Sequence, residues 1–152
     1  MKFAIFIPVR LNSKRLPKKA LKKINGKPVI QLLVERLQKV KNIKNIVICT
    51  TDDPLDDELV KFLEKIKVDF FRGSINDILD RFLKTTQKFQ IDFIIAVDGD
   101  DIYCDPDYVQ KILTKFEKTR VLGIRAKQIN NGAKVLTNIP SNVMDGYLIA
   151  LK

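Results

Sequence analysis

FAIFIPVRLNSKRLPKKAL, residues 3–21, sets an apolar, strand-forming run directly against a loop crowded with cations. Phe3 to Val9 shows no polar alternation, the pattern of a strand buried on both faces, and such strands belong to parallel sheets covered by helices. Downstream the plan repeats. Pro28 stands at the first turn of a helix running to about Lys41, with Val29, Leu32, Leu33, Arg36, Leu37 and Val40 on one stripe. Ile46–Thr50 reads as a second strand closed by the turn-rich TDDP, and Leu55–Ile66 as a second helix. DFF at 69–71 reads as a third strand, and Asn76 as the cap of a helix over Asp77–Lys88. FIIAV, 93–97, reads as the most clearly buried strand, Asp105 as the cap of a helix from Pro106, and Val121–Ala126 as a last strand. Strands alternating with helices of this length predict one α/β domain over 1–152 with a mostly parallel central sheet. Ligands bind such sheets at the carboxyl ends of the strands. That rim receives the basic loop after the first strand and the acidic loop after FIIAV.

The 152 residues are 45% hydrophobic and 30% charged, an ordinary globular mixture. Cys49 and Cys104 are too far apart in sequence for a metal-ligand pair and suggest free thiols of a reducing, cytoplasmic setting. The apolar run near the N-terminus falls far short of the roughly 20 residues a bilayer span needs, so no membrane association is expected. The net charge of +10 is uneven. Residues 1–46 carry 13 Lys/Arg against the single acid Glu35, a surplus of +12, whereas 47–152 carry 15 against 17, a deficit of −2. A basic front half is the footprint of an anionic partner.

Glycine-rich phosphate loops let backbone N–H groups approach the anion, but no glycine occurs before Gly26. Arg10, Ser13, Arg15, Lys18 and Lys19 would therefore have to bind by side chain, the guanidinium forks suiting bidentate phosphate contacts. Lys14, Lys22, Lys23 and Lys27 read most simply as solvated. In VDGDDIYCDP, Asp98, Asp100 and Asp101 crowd the end of a strand, and carboxylates so placed repel one another unless a cation sits among them. Mg²⁺ is the natural occupant, held by Asp100 and Asp98 together with substrate phosphates. The acids at 52, 53, 56 and 57 read as a helix N-terminus favoured by its dipole. Triphosphate-binding cations beside a magnesium carboxylate describe nucleotidyl or phosphoryl transfer, in which the protein positions groups and neutralises charge. The chain has no histidine, the commonest general base.

IPVRLNSKRLPKKALKKINGKPVI, IVICTTDDPLDDELV, FFRGSINDILDRF and VDGDDIYCDPDYV together resemble the CMP-sugar cytidylyltransferases, among them CMP-Kdo synthetases and acylneuraminate cytidylyltransferases, and most closely the spore-coat polysaccharide branch. The resemblance covers residues 3 to about 113. It implies a Rossmann-like, nucleotide-diphospho-sugar transferase (GT-A-like) fold and attack by a sugar or sugar-acid hydroxyl on the α-phosphate of CTP, releasing pyrophosphate in glycan synthesis. It also implies nucleotide contacts from Arg10, Ser13, Arg15 and Lys19, with Arg72, Gly73 and Ser74 by the cytosine and ribose and Asp77, Asp80 and Arg81 nearby. Arg15, Lys19 and Asp100 would be catalytic, Asp100 and Asp98 would bind Mg²⁺, and the assembly would be a homodimer. The chain departs from the family pattern at Lys18, where glycine is usual, and at Ile102, where proline is usual. Family members are typically longer, with a C-terminal region for acceptor and dimer contacts that is not matched here; Asp145 would be a remnant of that site or a turn residue. Two other functions compete: CTP or CMP binding without turnover, and nucleic-acid binding. The second lacks any helix-turn-helix, zinc or RRM signature.

Overall fold

In the computed structural model, residues 1–13 and 15–132 are described; Lys14 and the segment 133–152, with Asp145, lie outside them. Two compact units divide the chain, Met1–Val109 and Gln110–Lys152. The first is built on four strands, β1 (Phe3–Pro8), β4 (Asn45–Thr51), β5 (Asp69–Gly73) and β6 (Phe93–Ala96). A small antiparallel pair, β2 (Lys23–Ile24) and β3 (Lys27–Pro28), lies apart from them. The main sheet has the order β5-β4-β1-β6, and every pairing in it is parallel.

Helices α1 (Val29–Leu37), α2 (Asp57–Lys65) and α3 (Ile78–Phe89) connect successive strands of this sheet. The steps β1 to β4 and β4 to β5 run in one direction, so right-handed crossovers put α1 and α2 on one face. The step from β5 to β6 reverses past β4 and β1, which puts α3 on the other. The α3 face holds Ala4, Phe6, Val47 and Cys49, with Phe71, Phe82 and Phe89 packed against them. Phe6 meets Phe82 of α3 edge to face at 5.6 Å between ring centroids. On the opposite face Ile5, Ile7 and Ile48 are fully buried. The reversal of direction opens a crevice between the carboxyl ends of β1 and β6.

Four local expectations are corrected. The first helix begins at Val29, because Asn25 and Gly26 turn the chain into the β2–β3 hairpin with φ of 49° and 82°. An Asn-Gly pair with both φ positive is the two-residue type I′ turn whose twist matches a hairpin. The third helix is capped by Asp77, not Asn76: the Asp77 carboxylate accepts from the Leu79 and Asp80 amides, both at 2.9 Å. FIIAV is not the most buried strand. Within the described sheet β6 pairs with β1 alone, and Ala96 is exposed, since an apolar run reads alike at an edge and at a centre. Val121–Ala126 is helical, part of α4 (Pro106–Asn130), which accounts for most of the described part of the second unit. No proline or turn dipeptide interrupts that stretch, and Val121 stands 66% exposed, unlike a residue of a buried strand. The cap of α4 is as expected, with the Asp107 amide donating to the Asp105 carboxylate at 2.9 Å.

Candidate active site

A cleft of about 930 Å³ opens at the crevice between β1 and β6. The loop after β1 supplies Arg10, Ser13, Arg15 and Lys19 to its wall, and the loop after β6 supplies Asp98, Gly99 and Asp100. The Lys19 ammonium is hydrogen-bonded to the Asp100 carboxylate, joining the two loops across the opening. This bond, aided by the charge of Arg15, holds the Asp100 carboxyl below its ordinary range.

Hydrogen bonds tie both loops back on the fold. In the basic loop, the Leu11 carbonyl accepts from the Ser13 and Lys18 amides at 2.9 and 3.0 Å, and the Ser13 hydroxyl accepts from the Leu16 amide at 3.4 Å. Lys18 adopts a left-handed conformation, φ 55°, which glycine enters at no steric cost. Its ammonium reaches Glu58 at the start of α2. In the acidic loop, Asp101 N–H donates to the Asp98 carbonyl at 3.0 Å, and the Arg36 guanidinium of α1 donates to the Cys104 carbonyl at 2.7 Å. Gly99 brings this loop hard against the end of β1: a Cβ there would lie 2.5 Å from the Val9 side chain and 2.9 Å from the Pro8 carbonyl.

The residues expected beside the base divide into two groups. Arg81 lines the cleft together with Ile75, Asn76 and Ile78. It is buried, donates from Nη1 to the Cys49 carbonyl at 3.1 Å, and leaves Nε without a partner among the described residues. Burial draws its pKa downward. Arg72, Gly73, Ser74, Asp77 and Asp80 do not line the cleft. Arg72 donates from Nε to the Thr51 carbonyl, from Nη2 to the Asp53 carbonyl and from Nη1 to the Asp57 carboxylate. Ser74 accepts from the Asp77 amide, Asp77 caps α3, and Asp80 pairs with Lys84. Gly73 lies beneath Arg81, where a Cβ would meet the Phe71 ring at 2.9 Å and Arg81 Cγ at 3.2 Å.

One buried acid was not singled out by the sequence. Asp56 is 1% exposed and accepts from the Leu11 amide at 2.7 Å, the Thr50 hydroxyl at 3.1 Å, the Thr51 amide at 3.2 Å and the Thr51 hydroxyl. Nothing in TDDPLDD separates it from the less buried Asp52, Asp53 and Asp57.

The cleft suits a magnesium ion that arrives with phosphate. Among the described residues no three His, Cys, Asp or Glu side chains converge as a metal cage. Mg²⁺ usually takes one or two carboxylates plus phosphate oxygens, and Asp98 and Asp100, which line the cleft with Arg10, Arg15 and Lys19, are carboxylates of that kind. Among the described residues no helix is long and apolar enough to cross a membrane.

A family model for cytidylyltransferases matches residues 4–144. A 3-deoxy-manno-octulosonate cytidylyltransferase of Hydrogenovibrio crunogenus is 32% identical over 120 residues, covering 77% of this chain and 48% of its own length. The spore coat polysaccharide biosynthesis protein SpsF of Bacillus subtilis is 32% identical over 111 residues, 70% of this chain and 46% of its own. Among solved structures, a cytidylyltransferase from Leptospira borgpetersenii superposes with a TM-score of 0.75 at 30% identity, covering 80% of this chain and 51% of the other. A CMP:2-keto-3-deoxy-manno-octonic acid synthetase complexed with CTP superposes with a TM-score of 0.69 at 28% identity, over 78% and 48%. The chain spans about half the length of these relatives. With the parallel sheet, the crevice at its reversal and the two facing loops, these matches identify the chain as a member of the cytidylyltransferase family.

Proposed function

We propose that this chain binds CTP with Mg²⁺ and transfers CMP to the hydroxyl of a sugar acid, releasing pyrophosphate, in the synthesis of a surface glycan. The observation that carries the reading is the cleft wall itself, where Arg10, Ser13, Arg15 and Lys19 face Asp98 and Asp100. The relatives named for 3-deoxy-manno-octulosonate and spore-coat polysaccharide support this substrate class.

In the reaction, the acceptor oxygen forms a bond to the α-phosphorus as the bond from that phosphorus to the bridging oxygen breaks. The electron pair leaves with pyrophosphate, and the hydroxyl proton passes to solvent. Arg10 and Arg15 hold phosphate oxygens through forked donors, and Lys19 exchanges its bond to Asp100 for one to phosphate. Asp100 and Asp98 would hold Mg²⁺, which would neutralise phosphate charge and polarise the reacting centre. Ile75, Asn76, Ile78 and Arg81 supply the remaining wall, against which the base lies. The setting is cytoplasmic and the assembly a homodimer, to be read by sedimentation.

The test is pyrophosphate release from CTP in the presence of Mg²⁺ and a panel of 3-deoxy and acylamino sugar acids. Release that requires one of these acceptors is expected. CTP binding without release under any acceptor would instead make the chain a nucleotide-binding module.

A further inference from the structure

The loop that faces the cleft is folded around a single residue. Leu11 is 2% exposed, and its carbonyl accepts from both the Ser13 and Lys18 amides, so the segment carrying Arg15 closes back on it. The Leu11 N–H points the other way, into the protein, and donates to Asp56 at 2.7 Å. The same carboxylate takes the Thr51 amide and the hydroxyls of Thr50 and Thr51 at the carboxyl end of β4. Four groups thus converge on the two oxygens of this side chain, one from the basic loop and three from the end of β4.

We infer that Asp56 is the positioning residue of the nucleotide site: it fastens the phosphate-facing loop to the sheet through Leu11 and so sets where Arg10, Ser13, Arg15 and Lys19 stand. Asp56 does not line the cleft. Its action passes through Leu11. The inference rests on the proposed reading of the cleft as a CTP site, in which this loop holds phosphates while the base lies elsewhere. Removal of Asp56 should therefore weaken a triphosphate far more than a monophosphate. A residue that served stability alone would weaken both together.

The experiment compares the full chain with Asp56→Ala, Asp56→Asn and Thr50→Val. Hydrogen exchange follows the Leu11 and Lys18 amides in ligand-free protein, and calorimetry gives the affinities for CTP, CMP and inorganic tripolyphosphate. In Asp56→Ala these two amides should lose protection while those of β1 and β4 keep it. Its Kd for CTP and for tripolyphosphate should rise by about tenfold or more, as loss of a charge-assisted hydrogen bond predicts, with the Kd for CMP within about twofold of the parent. Asp56→Asn has one oxygen for four donors and should fall between the two, which keeps the test decisive if Asp56→Ala does not fold. Thr50→Val removes a donor on the sheet side and leaves the tether to Leu11, so its CTP to CMP ratio should be unchanged. Unchanged loop protection in the folded Asp56 variants, or equal weakening of CTP and CMP, would overturn the inference. Binding of tripolyphosphate by the parent chain without binding of CTP would refute the CTP reading and leave the role of Asp56 standing.

Discussion

Replacing Gly99 with alanine tests whether close approach of the two loops is what makes the cleft work. The new Cβ would sit 2.5 Å from Val9 Cγ2 and 2.9 Å from the Pro8 carbonyl oxygen, against an ordinary contact of 3.4–4 Å. Val9 is buried and the Pro8 carbonyl belongs to the end of β1, so neither can retreat easily. Relief falls to the acidic loop, which must move outward by roughly 0.5–1 Å, carrying Asp98 and Asp100 with it. Backbone strain plays no part, because the φ of Gly99 lies outside the left-handed region. Overpacking of this kind costs about 1–3 kcal/mol. A misplacement of ~1 Å can cost about 100-fold in turnover. Gly26→Ala is the matching control: nothing lies within 4 Å of its Cβ position, but its φ of 82° is left-handed. That variant should lose about 1–2 kcal/mol from backbone strain and leave the site intact. Urea unfolding and kcat/KM for pyrophosphate release separate the two. The expected pattern is a fall of about 10- to 100-fold in kcat/KM for Gly99→Ala and no change for Gly26→Ala. Parental kcat/KM and magnesium dependence in Gly99→Ala would refute the reasoning.

Three further outcomes follow from the structure. The Cys49 thiol, pushed up to about 11 from an ordinary value of 9.0 chiefly by burial, should resist thiol reagents at about pH 8 until the chain unfolds. Because the unfolded chain releases that proton first, stability should fall as pH rises from 9.0 to about 11, as urea titrations across that window would register. Asp100 is held below its ordinary value of 3.8 by Lys19, so magnesium-dependent CTP affinity should be insensitive to this group above that value and lost only as pH falls below it. Lys19→Met should bring the carboxyl back toward 3.8, seen by NMR titration of the Asp100 side chain. Asp77→Ala removes the cap of α3 and should lower stability by about 1 kcal/mol, seen as a reduced Tm, with CTP affinity unchanged because Asp77 lies off the cleft.

The strands and helices of the first unit were legible because hydrophobic period separates them: Phe3–Pro8 and Asn45–Thr51 are continuous runs, whereas α2 keeps its buried Leu59 and Leu63 at helical spacing. The two rim loops were legible because a parallel sheet puts every β-to-α loop on one side. The β2–β3 hairpin was signalled by Asn25-Gly26, but proline at 28 reads equally as a helix start. Val121–Ala126 shows the weakness of a short apolar run, which both strand and helix accommodate. Asp56 was hidden for a different reason. Its burial depends on Leu11, 45 residues away in sequence, and no local pattern reports a tertiary partner. Arg72 marks the converse case: its type suits a ligand contact, but three of its five N–H groups are engaged between the end of β4 and the start of α2, and it does not line the cleft.

Calorimetric titration of CTP with Mg²⁺, set against ATP, GTP and UTP and repeated on Arg15→Ala and Asp100→Ala, tests the central claim most directly. The account predicts selective CTP binding by the parent chain, a large loss in Arg15→Ala, and loss of the magnesium dependence in Asp100→Ala. Absence of nucleotide binding by the parent chain, or binding that both variants leave intact, would contradict it.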